Sequence, residues 1–473
     1  MVFSSITFLL YFLPIFLLGY NLIRKDYKNL FILFASIIFY SWGAPKFIFI
    51  LLFTTTIDFY LVKTMDVAKS VKARKLLLVL SLLMNLGLLA YFKYSNFFIE
   101  NVNASLSLVG VNGISWVKII LPIGISFYTF ETVTYVVDVY RKVHKPLNNF
   151  WDYQLYIILF PKLIAGPIVR FHTIADQISE RKETIDDKIQ GFYRFCLGLA
   201  KKILIANVLG EQADLIMNQS PEQLTTAMSW IGIIAYTFQI YFDFSGYSDM
   251  ALGLGRMIGF NFPENFNNPY NSRSISEFWR RWHISLGQWM KNYLYIPLGG
   301  NQVKSKYKLF FNLWLVFLIS GLWHGASWNF VLWGAFHGIF LILDRLFLLK
   351  LLEKMGGVVS TIVTFFIVLI GWVFFRTETL TDAIHYLQKM FSFTGLAEIE
   401  VSKEFITILI IAVFFSFIGA FQFGKNLEQK IYFQKNPTIK WYGVMMLVSV
   451  ILFIISLSSL TADGFNPFIY FRF

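Results

Sequence analysis

Six histidines stand in a chain with a single cysteine, so imidazole is the side chain best placed to move a proton at neutral pH. His324 lies in SGLWHGASWN, Ser320 to Asn329, directly after an apolar run from Leu309 to Trp323. As a helix that run is about 22 Å long, short of the ~30 Å hydrocarbon core of a bilayer. If the helix starts at the cytoplasmic face after Lys308, the imidazole is still inside the membrane, where an ionisable residue is costly and marks function. Gly325, Ser327 and Asn329 then supply the helix break. A neutral imidazole held there can take a proton from a hydroxyl and return it to a leaving group. The plainer reading is a hydrogen-bonded histidine at a helix end, and periodicity alone leaves both open.

His283 lies in FWRRWHISLGQW, Phe278 to Trp289, behind Arg280 and Arg281 and among three tryptophans. It is either a second polar group of the same cavity or part of an interfacial amphipathic helix, where Trp and Arg belong in any case. His337, between Phe336 and Gly338, reads as a packed structural histidine, and His144, His172 and His385 read as surface residues in polar contexts. YFDFSGYSDM, Tyr241 to Met250, sets Asp243 and Asp249 beside Ser245 and Ser248. This is either an ion, proton or donor-binding site or buried hydrogen bonding to Arg280 or Arg281. GLGRMIG, from Gly253, lacks dinucleotide-fingerprint spacing and fits close helix packing. HExxH and GxSxG are absent, and one cysteine, Cys196, rules out a disulfide framework or a Cys-based metal site within the chain. No metal site is expected.

The elements that must hold these residues belong to a membrane. Hydrophobic residues make up 56% of the chain and charged residues 15%, against about 25% charged in soluble domains. Ser4–Leu22, Leu76–Tyr94, Phe405–Phe423 and Trp441–Leu460 are apolar runs near the ~20 residues that span hydrocarbon. The first lacks the basic leader and small-residue cleavage site of a signal peptide. Further spans are expected near Phe192–Val208, Ala227–Phe242, Leu309–Trp323, Trp328–Leu343 and Val358–Phe375. The net charge of +13 does not point to nucleic acid, because the basic residues cluster in short loops between apolar runs. Arg24–Lys28, Lys63–Lys75 and Arg141–Lys145 are basic, whereas Gly43–Lys46 and Ser95–Ile114 are nearly uncharged. The basic loops, with Lys425–Lys440, are therefore expected in the cytoplasm and the N-terminus outside. Part of the positive charge can also meet anionic lipid head groups or an anionic cofactor. Residues 149 to 300 mix apolar segments with Pro, Gly and charge, as re-entrant or surface-lying helices do. One membrane domain over 1–473 is the economical division.

FPKLIAGPIVR (Phe160–Arg170), YFDFSGYSDMALGLGRMIGFNFPENFNNPY (Tyr241–Tyr270), SISEFWRRWHISLGQWMKNYLYIPLGGN (Ser274–Asn301) and SGLWHGASWNFVLWGAFHG (Ser320–Gly338) together resemble the membrane-bound O-acyltransferase family. The resemblance is strongest to its bacterial alginate O-acetyltransferase membrane-subunit branch, to which the opening MVFSS and the closing PFIYFRF are also similar. It covers nearly the whole chain, most densely from about 120 to 340.

The resemblance implies an all-α multi-pass fold, about 10–12 transmembrane helices with re-entrant ones around a central tunnel, in the bacterial inner membrane. It implies that His324 is the family's essential histidine and His283 the second histidine of the bacterial branch. The donor would be acetyl-CoA or another acyl thioester, with no bound cofactor, and the acceptor an extracytoplasmic polysaccharide or a periplasmic acetyltransferase partner. His324 would then be the general base on the accepting hydroxyl, with His283, Trp323 or Asn329 as oxyanion donors and Arg280 and Arg281 on the donor's phosphates. The competing readings are D-alanyl transfer from a carrier protein to teichoic acid, a transporter built on the polar midplane residues, and a non-catalytic scaffold.

Overall fold

The computed structural model describes residues 1–220, 222–393, 401–434 and 437–464, and every regular element among them is a helix. The closing PFIYFRF lies outside the described residues. Five helices are long and apolar enough to cross a membrane: Phe47–Val67, Val71–Leu108, Gly357–Arg376, Lys403–Ala420 and Ile439–Ala462. Thr7–Leu22 is a shorter apolar helix. The all-helical, multi-pass architecture expected from composition is present. Contacts divide the chain into two compact units, Met1–Thr184 with Ile258–Phe262, and Ile185–Met257 with Pro263–Phe473.

In the first unit, several polar groups buried on apolar helices are paired with one another, as a water-free surrounding favours. Asp58, on Phe47–Val67, accepts hydrogen bonds from Ser81 and Asn85 of the next helix. Lys162, from the FPKL stretch, donates to the Glu131 carboxylate, both fully buried. His172, expected on the surface, is half-buried and hydrogen-bonds Asp138 through Nδ1 at 2.7 Å. The uncharged loop expected from Ser95 is instead the continuation of Val71–Leu108. The chain doubles back after it, and Asn96 and Asn103 bind the returning segment: Asn96 Oδ1 accepts from the Trp116 indole and the Ile119 amide, and Asn103 Oδ1 from the Ile114 amide. Those side-chain bonds satisfy backbone that has no partner strand or helix turn.

In the second unit, Ile185–Ala200 and Thr226–Met257 approach so closely that only glycine fits at the crossing. A Cβ on Gly253 would stand 2.5 Å from the Gly191 carbonyl oxygen, and one on Gly198 would stand 2.5 Å from that of Gly246. This is the close packing that GLGRMIG suggested. The span expected near Phe192–Val208 is continuous helix with a π-helical stretch, Lys201–Asn207, and the one expected near Ala227–Phe242 is Thr226–Met257. The basic loop expected from Lys425 is in part a helix, Gln422–Tyr432, whose charged residues hid its period from an apolar scan.

The hairpin of Lys306–His324 and Trp328–Leu343 carries the motif SGLWHGASWN. The first helix begins before the apolar run, at Lys306, so it is about 28 Å long and nearly matches the hydrocarbon core. It ends at His324, where Gly325 turns extended, and Ser327 opens the second helix. Gly321 and Gly334 let the two helices touch: their Cβ positions would lie 2.1 Å and 2.3 Å from the carbonyl oxygens of Phe330 and Phe317.

Candidate active site

His324 and His283 come together inside the second unit. Their ring centroids are 6.5 Å apart, and they are only 5% and 2% exposed. His324 is fixed by the end of its helix and by aromatic rings on several sides. Trp333 lies edge-on at 5.1 Å, Phe375 at 5.3 Å and Trp323 at 4.9 Å. Trp333 comes from the partner helix of the hairpin and Phe375 from Gly357–Arg376. Asn329 is turned to other work: its amide donates to the Thr377 carbonyl at 2.7 Å and to the Thr377 hydroxyl at 3.1 Å, tying the start of one helix to the end of another.

His283 sits between the short helices Ile275–Arg281 and Ile284–Trp289 in a left-handed conformation, φ 45° and ψ 54°. A non-glycine residue there costs about 1–3 kcal/mol and persists where the surroundings enforce it. Asn265 does the enforcing. Its backbone oxygen accepts from the Ile284 amide at 2.9 Å, and its side-chain Oδ1 accepts from the Ser285 amide at 3.2 Å and the Ser285 hydroxyl at 2.9 Å. The Ser285 backbone N–H can only donate, so the Asn265 side chain must present oxygen to this turn. The His283 Nδ1 lies 3.1 Å from that same Oδ1 and must therefore carry the hydrogen. In the neutral ring Nε2 then holds the lone pair. It is buried with no hydrogen-bond partner among the described residues. Burial pushes the His283 imidazole down to about 3, so neutral is its ordinary form. His283 can accept a hydrogen bond or a proton through Nε2, but in that form it does not donate to an oxyanion.

Donors are nevertheless at hand. The indole Nε1 of Trp333 is buried without a hydrogen-bond partner among the described residues, in the ring that contacts His324. Neither Trp333 nor Asn265 stood out in the sequence. Both lie within the motifs, but their roles arise from contacts between segments. His337, expected to be packed, is 0% exposed between Trp279 at 4.9 Å and Trp333 at 5.2 Å.

Arg280 is exposed, and Arg281 pairs with Glu277 one helical turn back at 2.8 Å. Neither of them pairs with the YFDFSGYSDM aspartates, whose partners come from Ile185–Ala200 and the turn after it. Asp249 is bound by Arg194 at 2.6 Å and Lys201 at 2.6 Å, and Arg194 continues to Glu264 at 2.6 Å. Asp243 pairs with Lys202 at 3.0 Å. Helices pressed together at glycine bring these charges within reach, a proximity that sequence separation does not show. Among the described residues no group of three or more His, Cys, Asp or Glu stands together in a way that could hold a metal ion.

The sequence model of the membrane-bound O-acyltransferase family matches residues 5–377. The chain belongs to that family. Within it, the chain is 40% identical to a probable alginate O-acetylase of Pseudomonas putida over the whole of both chains. It is 32% identical to a peptidoglycan O-acetyltransferase of Helicobacter pylori, over 96% of this chain and 89% of the other. A teichoic acid D-alanyltransferase of Streptococcus thermophilus is 29% identical but matches 48% of this chain. The protein is accordingly an O-acyltransferase enzyme of the membrane.

Proposed function

We propose that this chain moves an acyl group, acetyl first among the candidates, from a cytoplasmic thioester such as acetyl-CoA to a hydroxyl on an extracytoplasmic polysaccharide, directly or through a periplasmic acetyltransferase partner. The reading rests above all on the buried approach of His283 to His324. The similarity to proteins named for alginate and peptidoglycan O-acetylation supports the acceptor class. The match to a D-alanyltransferase covers about half the chain and supports acyl transfer more than the acceptor.

The chemistry follows from the rings. The imidazole of His324 takes the proton of the accepting hydroxyl as its oxygen attacks the thioester carbonyl. The Trp333 indole donates to the carbonyl oxygen as it becomes an oxyanion. When the intermediate collapses, the C–S bond breaks and the thiolate leaves with the proton that His324 held. His283, neutral and presenting a lone pair at Nε2, accepts a hydrogen bond from the hydroxyl or from the protonated His324 without adding a competing charge. Arg280, exposed, is the better candidate of the two arginines for the donor's phosphates, since Arg281 is paired.

Sidedness is read from charge. The His324 hairpin starts at Lys306 and Lys308, the connection between the last two membrane-length helices carries Lys425 and Lys430, and Lys440 stands at the start of the last one. We place these ends in the cytoplasm, with the N-terminus and the His324 end of its helix on the outer side. The test is donor consumption and acyl transfer by purified protein in lipid, beside His324→Ala at equal folded level. Loss of both in the variant is the expected result, and equal activity would overturn the role of His324.

A further inference from the structure

The second unit holds a polar cavity of about 290 Å³ at the edge of the membrane-length helices. Its polar lining is Asn207, Glu211, Gln212, Ser402, Glu404 and Ser459, with Phe405 and Leu460 beside them. Ser402 and Glu404 stand at the start of Lys403–Phe417, and Ser459 and Leu460 at the end of Ile439–Asp463. The opposite ends of those two helices carry the lysines at 425, 430 and 440, so the cavity opens on the other face. It shares Glu211 and Leu215 with a wider recess of about 470 Å³ that adds Asp214, Asn218 and Gln223.

One wall of this recess is tied to a helix end that lies beside His324. Asp214 and Asn218 accept hydrogen bonds from Arg376 at 2.7 Å and 3.0 Å. Arg376 follows Phe375, whose ring lies 5.3 Å from that of His324. The groove and the candidate base are therefore joined through the end of one helix.

We propose that this groove seats the acceptor glycan and that it takes an uncharged sugar chain in preference to a polyuronate. The proposal rests on the acyl-transfer reading above and names its acceptor class. Amides and hydroxyls both donate and accept, and carboxylates accept strongly from sugar hydroxyls, as vicinal diols require. The smaller cavity lies at the lower end of ligand-pocket sizes, with room for a sugar residue. Charge sets the preference. Among the described residues neither Lys nor Arg lines either recess, and Glu211 and Glu404 are exposed with no ion pair to a described residue. Asp214 alone is neutralised, by Arg376. Within the described lining a sugar carboxylate would meet two bare carboxylates and no cation, and like charges set against each other suppress the wrong partner.

The experiment measures binding of an uncharged β-linked glucose tetramer and of a mannuronate tetramer to the full chain in lipid nanodiscs by saturation-transfer NMR, at low salt. Glu211→Lys and Glu404→Lys, both at exposed positions, are compared with the unaltered protein after each is checked for monodispersity and melting temperature. The expected result is at least tenfold tighter binding of the neutral tetramer by the unaltered protein. The double lysine variant should shift the preference toward the uronate by at least tenfold. Equal or stronger uronate binding by the unaltered protein overturns the proposal. So does binding that the folded variants leave unchanged, and so does absence of binding by either tetramer. His324-dependent donor consumption, measured on the same preparation without glycan, reports on the acyl-transfer reading separately, so the groove can fail while that reading stands.

Discussion

His283 donates its Nδ1 hydrogen to the side-chain oxygen of Asn265, 3.1 Å away, and the same oxygen accepts from the Ser285 amide. A single amide thus fixes the tautomer of one histidine and the strained turn on which it stands. The result is a lone pair on Nε2 in a ring 6.5 Å from His324.

Asn265→Leu removes the acceptor and releases the tautomer. Loss of orientation of this kind costs roughly a hundredfold in rate. The expected outcome is a fall of that size in kcat for acyl transfer with the donor KM little changed. Asn265→Asp keeps an oxygen for both Nδ1 and the Ser285 amide, so it should retain activity within about tenfold of the parent. A steady-state comparison of the two variants decides the matter, because a purely structural role for Asn265 would lower folded yield without separating Leu from Asp.

Acid should weaken the fold through His283. Its folded value of about 3 lies below the ordinary 6.5, so between those values the unfolded chain binds a proton there that the folded chain does not. This residue's share of stability is complete above about 6.5 and is lost as pH falls toward 3. Melting temperatures in detergent at about pH 7.5 and about pH 5 should fall further for the parent than for His283→Gln, which has no proton to bind. An equal fall in both would show that the ring is not held neutral by burial.

Asp249 distinguishes a structural charge network from a donor site. It neutralises Arg194 and Lys201, and taking one partner from a buried ion pair costs about 3–5 kcal/mol. Asp249→Asn should therefore lower the yield of monodisperse protein and its melting temperature, while any folded fraction keeps its donor KM. A variant that folds like the parent but binds donor poorly would restore the donor-binding role suggested by the sequence.

The hairpin that carries His324 depends on two glycines. Alanine at Gly334 would put a Cβ 2.3 Å from the Phe317 carbonyl oxygen, so the helices must part and His324 must move. Gly334→Ala should lower both melting temperature and activity. Gly443→Ala is the control: nothing lies within 4 Å of its Cβ position, and an alanine inside a helix should stabilise by about 0.5–1 kcal/mol.

Composition and apolar period were enough to show a helical membrane protein, because the demand that every backbone group bond within its own segment leaves no other choice in lipid. The helix Trp328–Leu343 has the bounds its apolar run suggested, and the break after His324 is written in Gly325 and Ser327. Local pattern also singled out His324 and His283, since ionisable residues stand out against apolar runs. It could not show what surrounds them. Asn265 is 18 residues from His283 in the chain, and Trp333 and Phe375 reach His324 from other helices. The partners of Asp249 are 55 and 48 residues away, on a helix brought close by glycines. Val71–Leu108 runs on through a stretch that looks like a loop, because two asparagines bind the segment folding back along it. Sequence spacing fixes which side chains share a face of one helix. Which faces meet, which ring nitrogen keeps its hydrogen and which charges cancel are settled only when the helices pack, since those energies belong to pairs of segments rather than to either alone.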